Sequence, residues 1–88
     1  MNYTITNDTF GNNLLFLRTK YSLSRIALSK LLGTAAVLIA KWETCKIRPT
    51  LSEEMLQRIC VIFQVSKEDL LWAHMRRCNI NNGGFDEP

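Results

Sequence analysis

Apolar residues recur along this chain every three or four positions, the spacing that lines one face of a helix, rather than at every second position as in a half-buried strand. Phe10, Leu14, Leu15 and Leu17 predict a first helix reaching about Tyr21, with Asp8 or Thr9 as its cap. Ser24 opens a short second helix whose inward residues are Leu28, Leu31 and Leu32, and Gly33 ends it by accepting a left-handed conformation. A third helix follows almost at once, from about Ala35 to Thr44. The run KIRPT interrupts the spacing, after which Thr50 and Glu53 form a capping box for a fourth helix carrying Leu56, Ile59, Cys60 and Phe63. Ser66 with Asp69 opens a fifth, bearing Leu70, Leu71 and Trp72. Strand character is confined to residues 1–6, where Tyr3 and Ile5 alternate with polar neighbours, too little to build a sheet alone. The expectation is an all-α chain of five short helices with no internal repeat.

At 88 residues and 47% hydrophobic content, the chain suffices for one domain. A domain of that size buries only about 60 to 65% of its unfolded surface, so its stability margin is small. The helical region sets a domain over 9–76, between a flexible N-terminal segment at 1–8 and a flexible C-terminal tail at 77–88, both rich in Asn, Thr, Gly or acid. The longest apolar run, Ala35 to Ala40, is far short of the roughly 20 residues that span a bilayer, and no basic stretch precedes an apolar one at the N-terminus. A cytoplasmic location without membrane contact is expected. Three cysteines, Cys45, Cys60 and Cys78, form no CxxC pair and are odd in number, which suits reduced thiols.

Net charge is +3, but its distribution says more than its sum. Between Arg18 and Arg48 the cations Arg18, Lys20, Arg25, Lys30, Lys41, Lys46 and Arg48 face a single anion, Glu43, whereas acids outnumber bases from Ser52 onward. The centre of the chain therefore carries a positive field suited to a polyanion, although a solvated basic face on a small domain looks the same by charge alone.

Helices two and three are joined by about three residues around Gly33, too few for antiparallel packing and suited to the steep crossing of a helix-turn-helix. From Leu14 to Leu71 the chain resembles the helix-turn-helix domain of the phage repressor and Cro class, the XRE family. The matching pieces are Leu15 to Arg18, LSRIALSKLLG at Leu23 to Gly33, Ile39, Trp42 with Glu43, Lys46, Pro49, and VSKEDLL at Val65 to Leu71. They cover about two thirds of the chain in a fixed order, which is more specific than any one of them. The resemblance implies a compact five-helix lambda-repressor-like domain that binds double-stranded DNA, with no cofactor, metal or small-molecule substrate.

A helical wheel through helix three puts Ile39, Trp42 and Ala35 on one face and Val37, Ala40, Lys41 and Thr44 on the other. Ile39 and Trp42 are expected to pack on Leu28, Leu32 and the first helix. The resemblance further implies an internal ion pair between Arg18 and Glu43; the alternative is two exposed charges. It also implies that helix three enters the major groove, so that Thr34, Ala36, Val37, Ala40 and Lys41 face bases or nearby backbone. Arg25 stands where the family commonly has a glutamine at the start of helix two, and its planar fork suits a phosphate. Lys46 and Arg48, in the following loop, would add phosphate contacts.

Two departures from the family stand out. The front of helix three offers Ala36, Val37 and Leu38 where family members place hydrogen-bonding side chains, so readout falls to Lys41, to contact of Val37 or Ala36 with thymine methyl groups, and to backbone attraction. Cys45 stands where a glycine commonly ends the helix, which puts a non-glycine residue at a left-handed position. The second reading is a degenerate helix-turn-helix serving as a protein-interaction module through an apolar patch of Val37, Leu38 and Ala40. An enzyme is not expected: His74 and Cys78, four residues apart, make at most two ligands of a metal site, and Ser22, Ser24 and Ser29 lack a neighbouring base. Helix five, with Leu70, Leu71, Trp72 and Met75, either closes the core or forms the face of a homodimer, the common state of the family.

Overall fold

The structure, a computed structural model, describes residues 2–75. Its elements run β1 (Asn2–Thr4), α1 (Thr9–Lys20), α2 (Arg25–Leu32), α3 (Ala36–Glu43), β2 (Thr50–Ser52), α4 (Glu53–Phe63) and α5 (Lys67–Trp72). Five helices stand where the apolar spacing predicts them, but the chain is not strictly all-α. β1 and β2 pair antiparallel, with Tyr3 opposite Leu51, and Ile5 N–H donates to Pro49 O at 3.0 Å. The strand-like alternation at residues 1–6 thus finds its partner some fifty positions away. Leu51 and Ile5 are buried, so residues 2–5, expected to be flexible, are held by backbone hydrogen bonds and apolar burial. The tail at 77–88 lies outside the described residues.

Pairing of the first strand is reinforced by side chains. The Tyr3 hydroxyl donates to Glu53 Oε1 at 2.7 Å and accepts from Lys67 Nζ at 2.9 Å, linking β1 to the starts of α4 and α5. The Tyr3 hydrogen bond, more than any other influence, holds the Glu53 carboxyl below its ordinary range and the Lys67 ammonium above its own.

Helix ends follow local chemistry, with two corrections. Ser24 Oγ accepts from Ala27 N–H, Ser66 Oγ from Asp69 N–H, and Gly33 closes α2 at φ 71°. The cap of α4 is Ser52, which accepts from Met55 N–H, because Thr50 is occupied in the strand. At α1 neither Asp8 nor Thr9 caps by its side chain; Asn7 Oδ1 accepts from Thr9 N–H instead.

Phe10, Leu14, Leu17, Leu28, Leu32, Ile39, Trp42, Leu56, Ile59, Phe63, Leu70 and Leu71 form one core. Leu31, expected inward, is 53% exposed, since of the α2 leucines only Leu28 and Leu32 face the core. Cys60 is only partly buried, and Trp72 is 61% exposed at the end of α5. Two residues hold the first helix in place. Asn13, almost fully buried, donates through Nδ2 to the carbonyls of Asp69, Leu70 and Ala73 and accepts from Met75 N–H, satisfying the end of α5 from α1. Gly11 lets α1 approach α3 so closely that a Cβ there would lie 2.1 Å from Trp42 O.

Candidate nucleic-acid interface

α3 presents two unlike faces. Inward, Ile39 is fully buried, Trp42 meets Phe10 edge-on with ring centroids 6.1 Å apart, and Glu43 is buried with them. Outward, Val37 is 63% exposed and Lys41 is exposed, with Ala36 and Ala40 half-buried between them. Thr44 is exposed as well, but its hydroxyl donates to Ala40 O at 2.9 Å and so is engaged with its own helix. Ala35 is exposed rather than beside Ile39 and Trp42, because its ψ of 141° places it before the helix, where the wheel does not apply. Leu38 packs partly against the core, which reduces the expected apolar patch to Val37 and the two small alanines. Thr34, half-buried in the turn, donates its backbone N–H to Ser29 O and gives α3 no side-chain cap.

Beneath this ridge sits a cluster of three charges. Glu43, its side chain wholly buried, accepts from Arg18 Nε at 2.6 Å through Oε2, and through Oε1 from Arg18 Nη2 at 3.0 Å and Arg25 Nε at 2.9 Å. Arg18 Nη1 donates to Leu23 O at 3.0 Å, so that guanidinium, 15% exposed, is turned to the interior. Arg25 is 41% exposed and bonds through Nε alone. Two cations for one anion leave the cluster with a net positive charge where α2 begins.

Lys41 and Lys46 are exposed and form no ion pair among the described residues, whereas Arg48 pairs with Asp8 at 2.7 Å, both about half exposed. Arg48 therefore carries less free charge than the sequence suggests. Between them lies Cys45 at φ 60°, the left-handed turn expected there. Burial, and after it the Asp8 carboxylate, pushes the Cys45 thiol up, and burial does the same to Cys60, so both stay as neutral thiols rather than nucleophiles. His74 is exposed, and its suggested partner Cys78 lies outside the described residues.

Arg25, Ala36, Val37, Ala40, Lys41, Lys46 and Arg48 thus belong to α2, α3 and the loop after α3. Sequence reasoning missed the second partner of Glu43, because nothing in the spacing of Arg25 distinguishes an interior ligand from a surface cation. It also missed Gly11 and Asn13, whose only signal is a small and a polar residue on an otherwise apolar helical face.

No family model matches the chain. A region of 66 residues, 75% of the chain, is 30% identical to the glutamine–fructose-6-phosphate aminotransferase (isomerizing) of Methanocaldococcus jannaschii, and it spans only 6% of that protein. The fold is similar to that of the P22 c2 repressor, solved in complex with a synthetic operator, at a TM-score of 0.65 and 28% identity over 77% of this chain and 98% of that one. The chain is a mostly helical domain with a repressor-like helix-turn-helix fold.

Proposed function

We propose that this chain is a DNA-binding transcriptional regulator of the repressor and Cro type, a member of the XRE family that sets α3 into the major groove of duplex DNA. The observation that carries the reading is the two-sidedness of α3: Ile39, Trp42 and Glu43 anchor it, and Val37 and Lys41 stand outward on a flank whose free charges are cationic. The likeness to a repressor solved with operator DNA supports it.

In this reading Val37, with Ala36 and Ala40 beside it, packs on thymine methyl groups, and Lys41 reaches a base edge or phosphate. Arg25, Lys46 and Arg48 contact phosphates, with Thr34 close to the backbone. Three or four such cations, depending on whether Lys41 meets a base or a phosphate, give log K a slope against log salt of roughly −3 to −4 per protomer, at about −0.9 per phosphate. The functional unit is the segment 9–76, with β1 as an accessory strand. A homodimer through α5 would use Trp72, since Leu70 and Leu71 are in the core; two reading helices would then lie about 34 Å apart.

Selection from a random duplex library tests the function. An enriched motif whose binding is weakened by both Lys41→Ala and Arg25→Ala is expected, and no binding to any duplex at low salt would refute it in favour of a protein-interaction module, whose apolar contact would respond little to salt.

A further inference from the structure

Glu43 is shared by two arginines that use it differently. Arg18 gives it Nε and Nη2 and gives Leu23 O its Nη1, a guanidinium committed to the interior. Arg25 gives it only Nε, at 2.9 Å, and among the described residues its Nη groups meet no protein acceptor. That grip occupies Nε and leaves both Nη groups, whose end-on edge can match two oxygens of a phosphate, without a protein acceptor among the described residues. The first cation balances the buried carboxylate, and the second is left for an anion outside.

We propose that Glu43 is a positioning residue for DNA binding: it holds Arg25 by Nε so that Nη1 and Nη2 are presented as a preset fork to one backbone phosphate. This rests on the duplex-binding function above. Orientation before contact lowers the ordering cost of binding, so the arrangement favours arginine over lysine at position 25 for a reason beyond charge. Lysine has one compact donor group, which can serve the carboxylate or the phosphate but does not present a fixed fork to both.

Binding of the wild type, Arg25→Ala, Arg25→Lys, Glu43→Gln and the double variant Glu43→Gln with Arg25→Ala to one selected duplex, each across a salt series, tests the idea. Arg25→Ala should weaken binding about tenfold and reduce the salt slope by about one. Arg25→Lys should keep the slope yet bind several-fold more weakly than the wild type. Glu43→Gln should weaken binding when Arg25 is present and add nothing when it is alanine, a coupling that general loosening of the fold would not produce. If Glu43→Gln fails to fold, Arg25→Lys decides, because that side chain is partly exposed and its replacement is tolerated more easily. Arg25→Lys equal to the wild type, or a Glu43→Gln loss that is the same in both backgrounds, would overturn the proposal. A wild type that binds no duplex would refute the function itself, whereas a binding wild type with an indifferent Arg25→Lys refutes only the fork.

Discussion

Gly11→Ala puts two effects of opposite sign against each other at one position. Alanine is the better helix former, by about 0.8 to 1 kcal/mol in a helix interior, so propensity alone predicts a more stable protein. The added Cβ would lie 2.1 Å from Trp42 O, 3.2 Å from Trp42 C and 3.3 Å from Cys45 Sγ. The first approach is about 1.3 Å short of ordinary contact, and the obstacle is a backbone carbonyl of α3, which cannot turn away as a side-chain tip can. Inserting a methyl group into a packed site costs about 1 to 3 kcal/mol, and a backbone obstacle puts this one at the upper end. The net expectation is a loss of about 2 kcal/mol, or roughly 8 to 16 °C in Tm for a domain of this size. Since relief requires α3 to move away from α1, DNA affinity should fall too. Urea unfolding followed by tryptophan fluorescence measures the stability. Gly33→Ala is the control: nothing lies within 4 Å of its Cβ, and only its φ of 71° opposes the change, at about 1 kcal/mol. A Gly11→Ala protein as stable as the wild type or more so would refute the close seating of α1 on α3.

Asn13→Leu should cost about 2 to 4 kcal/mol, because it leaves the carbonyls at the end of α5 without their buried donor, and chemical denaturation would show it; a neutral change would mean that these groups find other partners. Cys45→Gly should raise stability by up to about 1 kcal/mol by relieving the left-handed residue at φ 60°, read as a higher Tm. Tyr3→Phe should lower stability most near neutral pH and flatten its fall toward both extremes. Glu53, depressed in the folded state, contributes above its unfolded pKa and loses that contribution as pH falls through its folded value; Lys67, raised, contributes below its unfolded pKa and loses it as pH rises through its folded value. Melts from acid to alkaline pH should thus separate wild type and variant most near neutrality and least at the two extremes.

Local chemistry made most of the fold legible. Ser24, Gly33 and Ser66 act through their immediate neighbours, and the apolar spacing from Leu28 to Leu71 records a single core, so five helices can be read without knowing how they meet. What escaped depends on contacts distant in sequence. Tyr3 has strand character but no visible partner until Leu51 is brought opposite, and that pairing in turn moves the cap of α4 from Thr50 to Ser52. Leu31 and Trp72 have the composition of core residues but not the direction, which only the packing of α2 and α5 settles. At the candidate interface the wheel separated Ile39 and Trp42 from Val37 and Lys41, yet failed at Ala35, where the helix had not begun. Arg25 is the instructive case. Its charge was evident, whereas its bond to Glu43 arises only when α2 crosses α3.

If Val37 on α3 reads DNA through thymine methyl groups, removing those methyls must weaken binding. Fluorescence anisotropy on the selected duplex, with thymine replaced by uracil one position at a time, changes nothing but the C5 methyl. Losing one methyl buried against Val37 should cost about 0.8 kcal/mol, roughly a fourfold rise in Kd, and the effect should shrink sharply in Val37→Ala. A Kd that ignores every uracil substitution and is also unchanged by Val37→Ala would rule out methyl readout by α3.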